Sequence, residues 1–142
     1  PDAGTLTIHA LLDSASVTGA YTFTVTPGET TLVDVRATLF FRRDVELPGF
    51  APMSSMFWFG EASANRYGDF RPEVHDSDGL LVADASGART WRPLVNPAAL
   101  QRSDFPVDAL AGFGLLQRDR EFRHYEDLEA YYHERPSLWV ET

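Results

Sequence analysis

The chain has 142 residues, of which 44% are hydrophobic and 13% aromatic, enough to build one domain with an apolar core. Its formal net charge of -9 excludes sequence-independent nucleic-acid binding, which depends on clustered basic side chains that neutralise phosphates. With no Cys, disulfide and thiolate chemistry are excluded as well.

The first residues, Pro1-Asp2-Ala3-Gly4, carry neither a basic start nor an apolar stretch, so any export signal is expected outside this chain. No run approaches the roughly 20 apolar residues that a membrane-spanning helix needs. All 12 basic residues are Arg, whose planar fork of donors suits carboxylates and pairs of sugar hydroxyls alike.

Period-two alternation predicts strands at Thr5 to Leu11 and Ala20 to Thr26, with Pro27-Gly28-Glu29-Thr30 turning into a third. In that third strand, Val33, Val35, Ala37, Leu39 and Phe41 share one face and Asp34, Arg36, Thr38 and Arg42 the other, the pattern of a half-buried strand. The three form an antiparallel meander. Pro48 to Pro52 and Glu61 to Asp69 read as substantial loops, and Met56 to Phe59 and Leu80 to Ala83 as short strands. Asp84-Ala85-Ser86-Gly87 reads as a hairpin turn into Ala88 to Arg92.

Helix is scarce. One turn is predicted over Asn96 to Leu100, capped by Asn96 with Pro97 in first position, and a short helix over Tyr125 to His133, ended before Pro136. Gly112-Phe113-Gly114 lacks the third glycine and following helix of a nucleotide motif and reads as a bend between a loop and a strand. Glu121 to Glu134 mixes charge signs, as expected for a solvated surface with its Tyr and Leu residues inserted into the core. The fold class is therefore all-β and antiparallel. With no repeat, low-complexity tract or dividing linker, residues 1–142 are expected to be part of one domain without an internal boundary.

The densest chemistry lies in Arg71-Pro72-Glu73-Val74-His75-Asp76-Ser77-Asp78-Gly79, three carboxylates and an imidazole between two strand-like segments. Acids and bases this close perturb one another's proton affinities. The run reads equally as a turn, since the side chains of Asp76, Ser77 and Asp78 are suited to bonding nearby backbone amides. An EF-hand is excluded because its closing bidentate Glu does not follow Gly79. Zinc would need more His nearby, whereas His9, His124 and His133 are scattered; no metal or other cofactor is expected. Aromatic residues flank the run: Trp58, Phe59, Tyr67, Phe70 and Trp91. In strands such rings are core residues more often than sugar platforms, but Tyr67 and Trp91 adjoin polar loops and are the preferred stacking candidates.

The run RPEVHDSDGL also carries a resemblance, together with SSMFWFGE, RTWRPLVNP, GFGLLQRDREF, YEDLEAYYHERPSLWVE and the earlier LTIHALLDSASVTGAYTFTVTPG and TTLVDVRATLFFRRDV. In these, in consistent order, the chain resembles the periplasmic glucan biosynthesis protein G and D family (MdoG/OpgG and OpgD). The resemblance implies an antiparallel β-sandwich, galactose-mutarotase-like, of which this chain is an internal piece. It implies a periplasmic location, partners among β-1,2-linked glucan and the glucan-synthesis machinery, and a groove that binds and hydrolyses that glucan.

D-type members are similar to anomer-inverting hydrolases, in which one carboxyl protonates the leaving oxygen and another activates water. By resemblance Asp76 is the catalytic base. Glu73, His75 and Asp78 of the same run, the stacking candidates Tyr67 and Trp91, and Arg71, Arg92 and Asn96, whose side chains suit sugar hydroxyls, are the expected substrate-binding residues. By the same resemblance Gln117 and Arg118 are expected near the groove. The acid partner in the family lies in an Asn-Asp-Asn segment that residues 1–142 do not contain, so the chain alone is expected to lack it. Two alternatives stay open: a groove that binds or organises glucan without cutting it, and a structural β-domain in which the acidic run only turns the chain.

Overall fold

The computed structural model describes residues 4–63 and 65–142. Pro1-Asp2-Ala3, and Ala64 in the loop expected over Glu61 to Asp69, lie outside the described residues. Strands dominate, and every strand pairing is antiparallel, so the fold class is all-β. The residues fall into two compact units, Pro1–Phe50 and Ala51–Thr142.

The first unit is the expected meander: β1 (Leu6–Asp13), β2 (Val17–Thr26) and β3 (Leu32–Phe41), with β2 in the centre. A tight connection sets the register, the Ser14 hydroxyl donating to the Val17 carbonyl at 2.7 Å and accepting the Val17 N–H at 3.1 Å. Leu6 then faces Val25, and Val25 faces Val33 across the sheet. The alternation of β3 is present but its half-burial is not, since Val33, Val35 and Phe41 remain exposed. A strand face is buried only when a second layer covers it, and within this unit the described residues supply none.

The second unit contains a short pair, β4 (Phe57–Phe59) with β5 (Val74–His75), and a four-stranded sheet. That sheet runs β7-β6-β8-β9, from β6 (Gly79–Asp84), β7 (Arg89–Pro93), β8 (Leu110–Leu116) and β9 (Leu138–Glu141). The predicted turn joins β6 to β7. Asp84 Oδ1 accepts the backbone N–H of Ser86 at 2.9 Å and of Ala88 at 3.0 Å, and Gly87 takes the positive φ of 89° that closes the hairpin. The Ser86 hydroxyl on the same carboxylate, followed by these amides, holds the Asp84 pKa below its usual value.

Three local expectations are corrected. Gly112-Phe113-Gly114 is no bend: it lies inside β8, between β6 and β9. Its glycines permit close approach, because a Cβ on Gly112 would stand 2.5 Å from the Trp139 ring and one on Gly114 would fall on the Leu138 carbonyl oxygen. No helical turn forms over Asn96 to Leu100, where the Asn96 amide donates to the Trp58 carbonyl at 3.1 Å instead of capping.

The helix predicted over Tyr125 to His133 is broken in two. A single α-turn, α1 (Phe122–Tyr125), and a 3-10 turn, Tyr132–Glu134, are separated by left-handed residues at Glu126 (φ 51°) and Tyr131 (φ 50°). Between them Asp127 Oδ1 accepts the N–H groups of Glu129 at 2.9 Å and Ala130 at 2.6 Å, a local alternative to helical bonding. Of the Tyr and Leu residues expected in the core from this run, Tyr125 and Tyr132 are buried, whereas Leu128 and Tyr131 stay exposed. With Phe59 and Val74 the two buried tyrosines form the core of the unit. Burial of Phe59 contributes about 1.5–3 kcal/mol.

Candidate functional site

Strand β5 and the residues after it carry the acidic run, and pairing decides where each side chain goes. The Asp76 N–H donates to the Met56 carbonyl at 2.8 Å, so the run lies along β4. Asp78 N–H then donates to the Leu116 carbonyl at 2.9 Å, and Leu94 N–H to the Asp78 carbonyl at 2.9 Å, which inserts the run between the ends of β7 and β8. The run is therefore no self-contained turn.

Three of its members line one cavity of about 440 Å³: Glu73, His75 and Asp78. Phe57 and Trp91 supply aromatic surface to it, and Glu61, Arg118 and Asp119 further charge. His75 is fully buried, stacked on Phe57 with ring centroids 4.9 Å apart and edge-on to Tyr125 at 5.2 Å. Its Nε2 is 2.8 Å from Glu73 Oε2 and 3.9 Å from Asp78 Oδ1. Gly60 makes room for this pair, since a Cβ there would lie 3.2 Å from Glu73 Oε2 and 3.1 Å from the imidazole.

Asp78 Oδ2 accepts the backbone N–H of Asp119 at 3.0 Å and that of Arg118. This bond holds the turn after β8 and with it two more cavity residues. The Arg118 guanidinium lies over the Trp91 ring, 5.0 Å from its centre. Asp119 Oδ2 is 2.6 Å from His124 Nδ1, on α1. Glu73, Asp119 and His124 place one potential ligand atom each within 4.8 Å of one another, and among the described residues they are the group that could take a cation. Beneath them the Tyr125 hydroxyl has its pKa raised, first by burial and then by the charges of Asp78, Asp119 and Glu73.

The other sequence-predicted residues stand apart from this cavity. Asp76 does not line it: its Oδ2 accepts the Met56 N–H at 3.2 Å, and its Oδ1 is 3.4 Å from Arg135 Nε. Tyr67, exposed and with a φ of 54°, packs edge-on to Trp58 and at a tilt to Phe59. Phe70 is exposed, and so is Arg92 on β7. Arg71 is committed to ion pairs, with Asp69 at 2.6 Å and Asp127 at 2.5 Å, and its own pKa is raised by Asp69 first and Asp127 second. The Arg71 side chain and backbone N–H hold Asp69 down at about 2. Gln117 is buried and structural, its Nε2 donating to the Tyr132 carbonyl at 2.7 Å and the Tyr125 hydroxyl at 3.0 Å.

The sequence does not mark Asp119 and His124 as site residues. Both sit in a charged stretch that looks like ordinary surface, and only the bond from Asp78 across 41 positions brings Asp119 in. A second cavity, of about 550 Å³, is lined mainly by apolar side chains such as Leu80, Val82, Phe105 and Phe113 and offers Asp104 as its one carboxylate. The first cavity is thus the better site for a polar ligand with an apolar face.

Comparison with known proteins agrees on one lineage. A sequence model of the family described as "Periplasmic glucan biosynthesis protein, MdoG" matches residues 1–142. The chain is 54% identical over 140 residues to glucans biosynthesis protein G of Shewanella baltica, covering 99% of this chain and 26% of that relative. It is 52% identical over 140 residues to glucans biosynthesis protein G of Vibrio cholerae, with the same coverage of 99% and 26%. To glucans biosynthesis protein G of Rhodopseudomonas palustris it is 52% identical over 141 residues, 99% of this chain and 28% of the relative. The chain therefore spans about a quarter of the length of these curated relatives.

Proposed function

Because the chain belongs to the periplasmic glucan biosynthesis protein family MdoG, we propose that it forms part of a periplasmic glucan-handling groove, in which the cavity between Trp91 and the Glu73–His75 pair receives β-1,2-linked glucose. The observation that carries this reading is the combination in one cavity of aromatic surface, Trp91 and Phe57, with the carboxylates of Glu73, Asp78 and Asp119. A glucose ring has apolar faces of C–H bonds for the rings to cover and equatorial hydroxyls to donate to carboxylates. Hydrogen bonds to ionised acceptors are the stronger kind.

The groove then hydrolyses the glucan, with Asp76 as general base and a general acid contributed from elsewhere in a family-length protein. Met56 N–H and Arg135 fix the Asp76 carboxylate from two sides, which suits a base that must hold one orientation toward a water. A second reading, a groove that binds and organises glucan without cutting it, is favoured by one observation: Asp76 lies outside the cavity lining.

The test is to add linear β-1,2-glucan to the full-length protein, following binding by calorimetry and cleavage by new reducing ends. Binding with cleavage supports the hydrolase, binding without cleavage supports the organiser, and absence of binding rejects the glucan groove altogether.

A further inference from the structure

The charged groups of the same cavity are unevenly matched. Among the described residues that line it, Glu61, Glu73, Asp78 and Asp119 carry carboxylates, against the single guanidinium of Arg118. That guanidinium is laid on the Trp91 face, 5.0 Å from the ring centre, where its charge is partly engaged by the aromatic quadrupole. Two imidazoles adjoin the set, His75 on Glu73 at 2.8 Å and His124 on Asp119 at 2.6 Å. Even with both protonated, the cations would not outnumber the carboxylates.

Two of the carboxylates already act as acceptors: Asp78 Oδ2 takes two backbone N–H groups, and Asp119 Oδ1 takes the Glu121 N–H at 3.0 Å. What remains open to a ligand is therefore oxygen acceptors and an aromatic wall. That surface suits hydroxyl donors and offers little to a carboxylate or phosphate.

Resting on the glucan reading above, we propose that this cavity selects uncharged glucosyl units and discriminates against glucan that carries anionic substituents. Glu61 and Asp119 set the discrimination, because like charges brought together in a partly dehydrated site repel more strongly than in bulk water. Glu61 is exposed and tied to no partner among the described residues, so its charge can be removed with little structural consequence.

The experiment is calorimetric binding to the full-length protein of three probes: linear β-1,2-glucan, the same polymer carboxymethylated, and the same polymer hydroxyethylated to equal extent. The unsubstituted and hydroxyethylated polymers should bind alike. The carboxymethylated one should bind at least about tenfold more weakly at low ionic strength, and the gap should narrow as salt screens the repulsion. Glu61→Gln should narrow the ratio between the neutral and the carboxymethylated polymer at low salt, whatever it does to the affinity for either alone. Equal binding of charged and uncharged polymers overturns the charge selection and leaves the glucan groove intact. So does an equal loss on hydroxyethylation, which would make bulk the cause. Failure of all three to bind overturns the groove itself.

Discussion

Asp78 and Asp119 stand 41 positions apart, yet the Asp119 backbone N–H donates to the Asp78 carboxylate at 3.0 Å. The neighbouring Arg118 N–H uses the same oxygen. One side chain from the acidic run thus fixes the turn that delivers both Arg118 and Asp119 to the cavity. Asp78 is on this geometry a positioning residue at least as much as a ligand.

Replacing Asp78 with Ala should therefore lower stability by about 1–3 kcal/mol, the usual loss when backbone donors lose a charged acceptor. Asp78→Asn retains an acceptor oxygen and should cost about half as much. Thermal melts of the two variants provide the comparison, and equal melting temperatures for wild type and Asp78→Ala would show that the turn is held by something else.

Trp91 is half-buried: its ring covers Gly79, where an added Cβ would stand 2.5 Å away, while it also lines the cavity. Trp91→Ala should weaken β-1,2-glucan binding by about 1–3 kcal/mol, by analogy with bases stacked on aromatic side chains. Some stability should be lost too, less than the roughly 3–5 kcal/mol of a fully buried aromatic. A large fall in melting temperature with unchanged affinity would assign the ring to packing alone.

Asp76→Asn is nearly isosteric and keeps an oxygen for the Met56 N–H, but it cannot accept a proton. In the full-length protein it should abolish glucan cleavage and leave glucan binding and folding largely unchanged. Normal turnover in this variant would remove Asp76 from the mechanism.

The Arg71 ion pairs give an acid-side dependence whose sign follows from the shifts. Asp69 is lowered from 3.8 to about 2 by its bonds to Arg71. Asp127 is lowered as well, by the Ala130 N–H first and then by Arg71. A carboxyl whose folded pKa lies below its unfolded value contributes stability above the unfolded pKa, and that contribution is lost as pH falls through the folded one. The loss should fall between about pH 4 and pH 2. Intrinsic fluorescence followed on acidification should show Arg71→Gln unfolding at higher pH than wild type. Coincident curves would mean that the bridge contributes nothing.

Gly114 lies in β8 with the Leu138 carbonyl where a Cβ would go. Since the obstacle is backbone, Gly114→Ala must push β9 away, and a loss of about 1–3 kcal/mol is expected. A melting temperature within a degree or so of wild type would show that the β8–β9 pairing yields without cost.

The residues alone determined the all-β class, the three-strand meander and the Asp84 to Gly87 hairpin, because alternation and turn chemistry act over a few neighbouring positions. They also marked Glu73, His75 and Asp78 as chemically dense. Tertiary structure decided what depends on distant partners. The glycines of β8 resemble a bend until Trp139 and Leu138 are seen to need the space. Tyr125 to His133 has the pattern of a helix until the Asp127 side chain captures the amides that would continue it. Asp76 and Asp78, two residues apart, part company because one is drawn to Met56 and Arg135 and the other to the turn after β8. Those pairings join residues tens of positions apart, and a local pattern carries no information about which backbone groups a carboxylate will meet once the strands have packed.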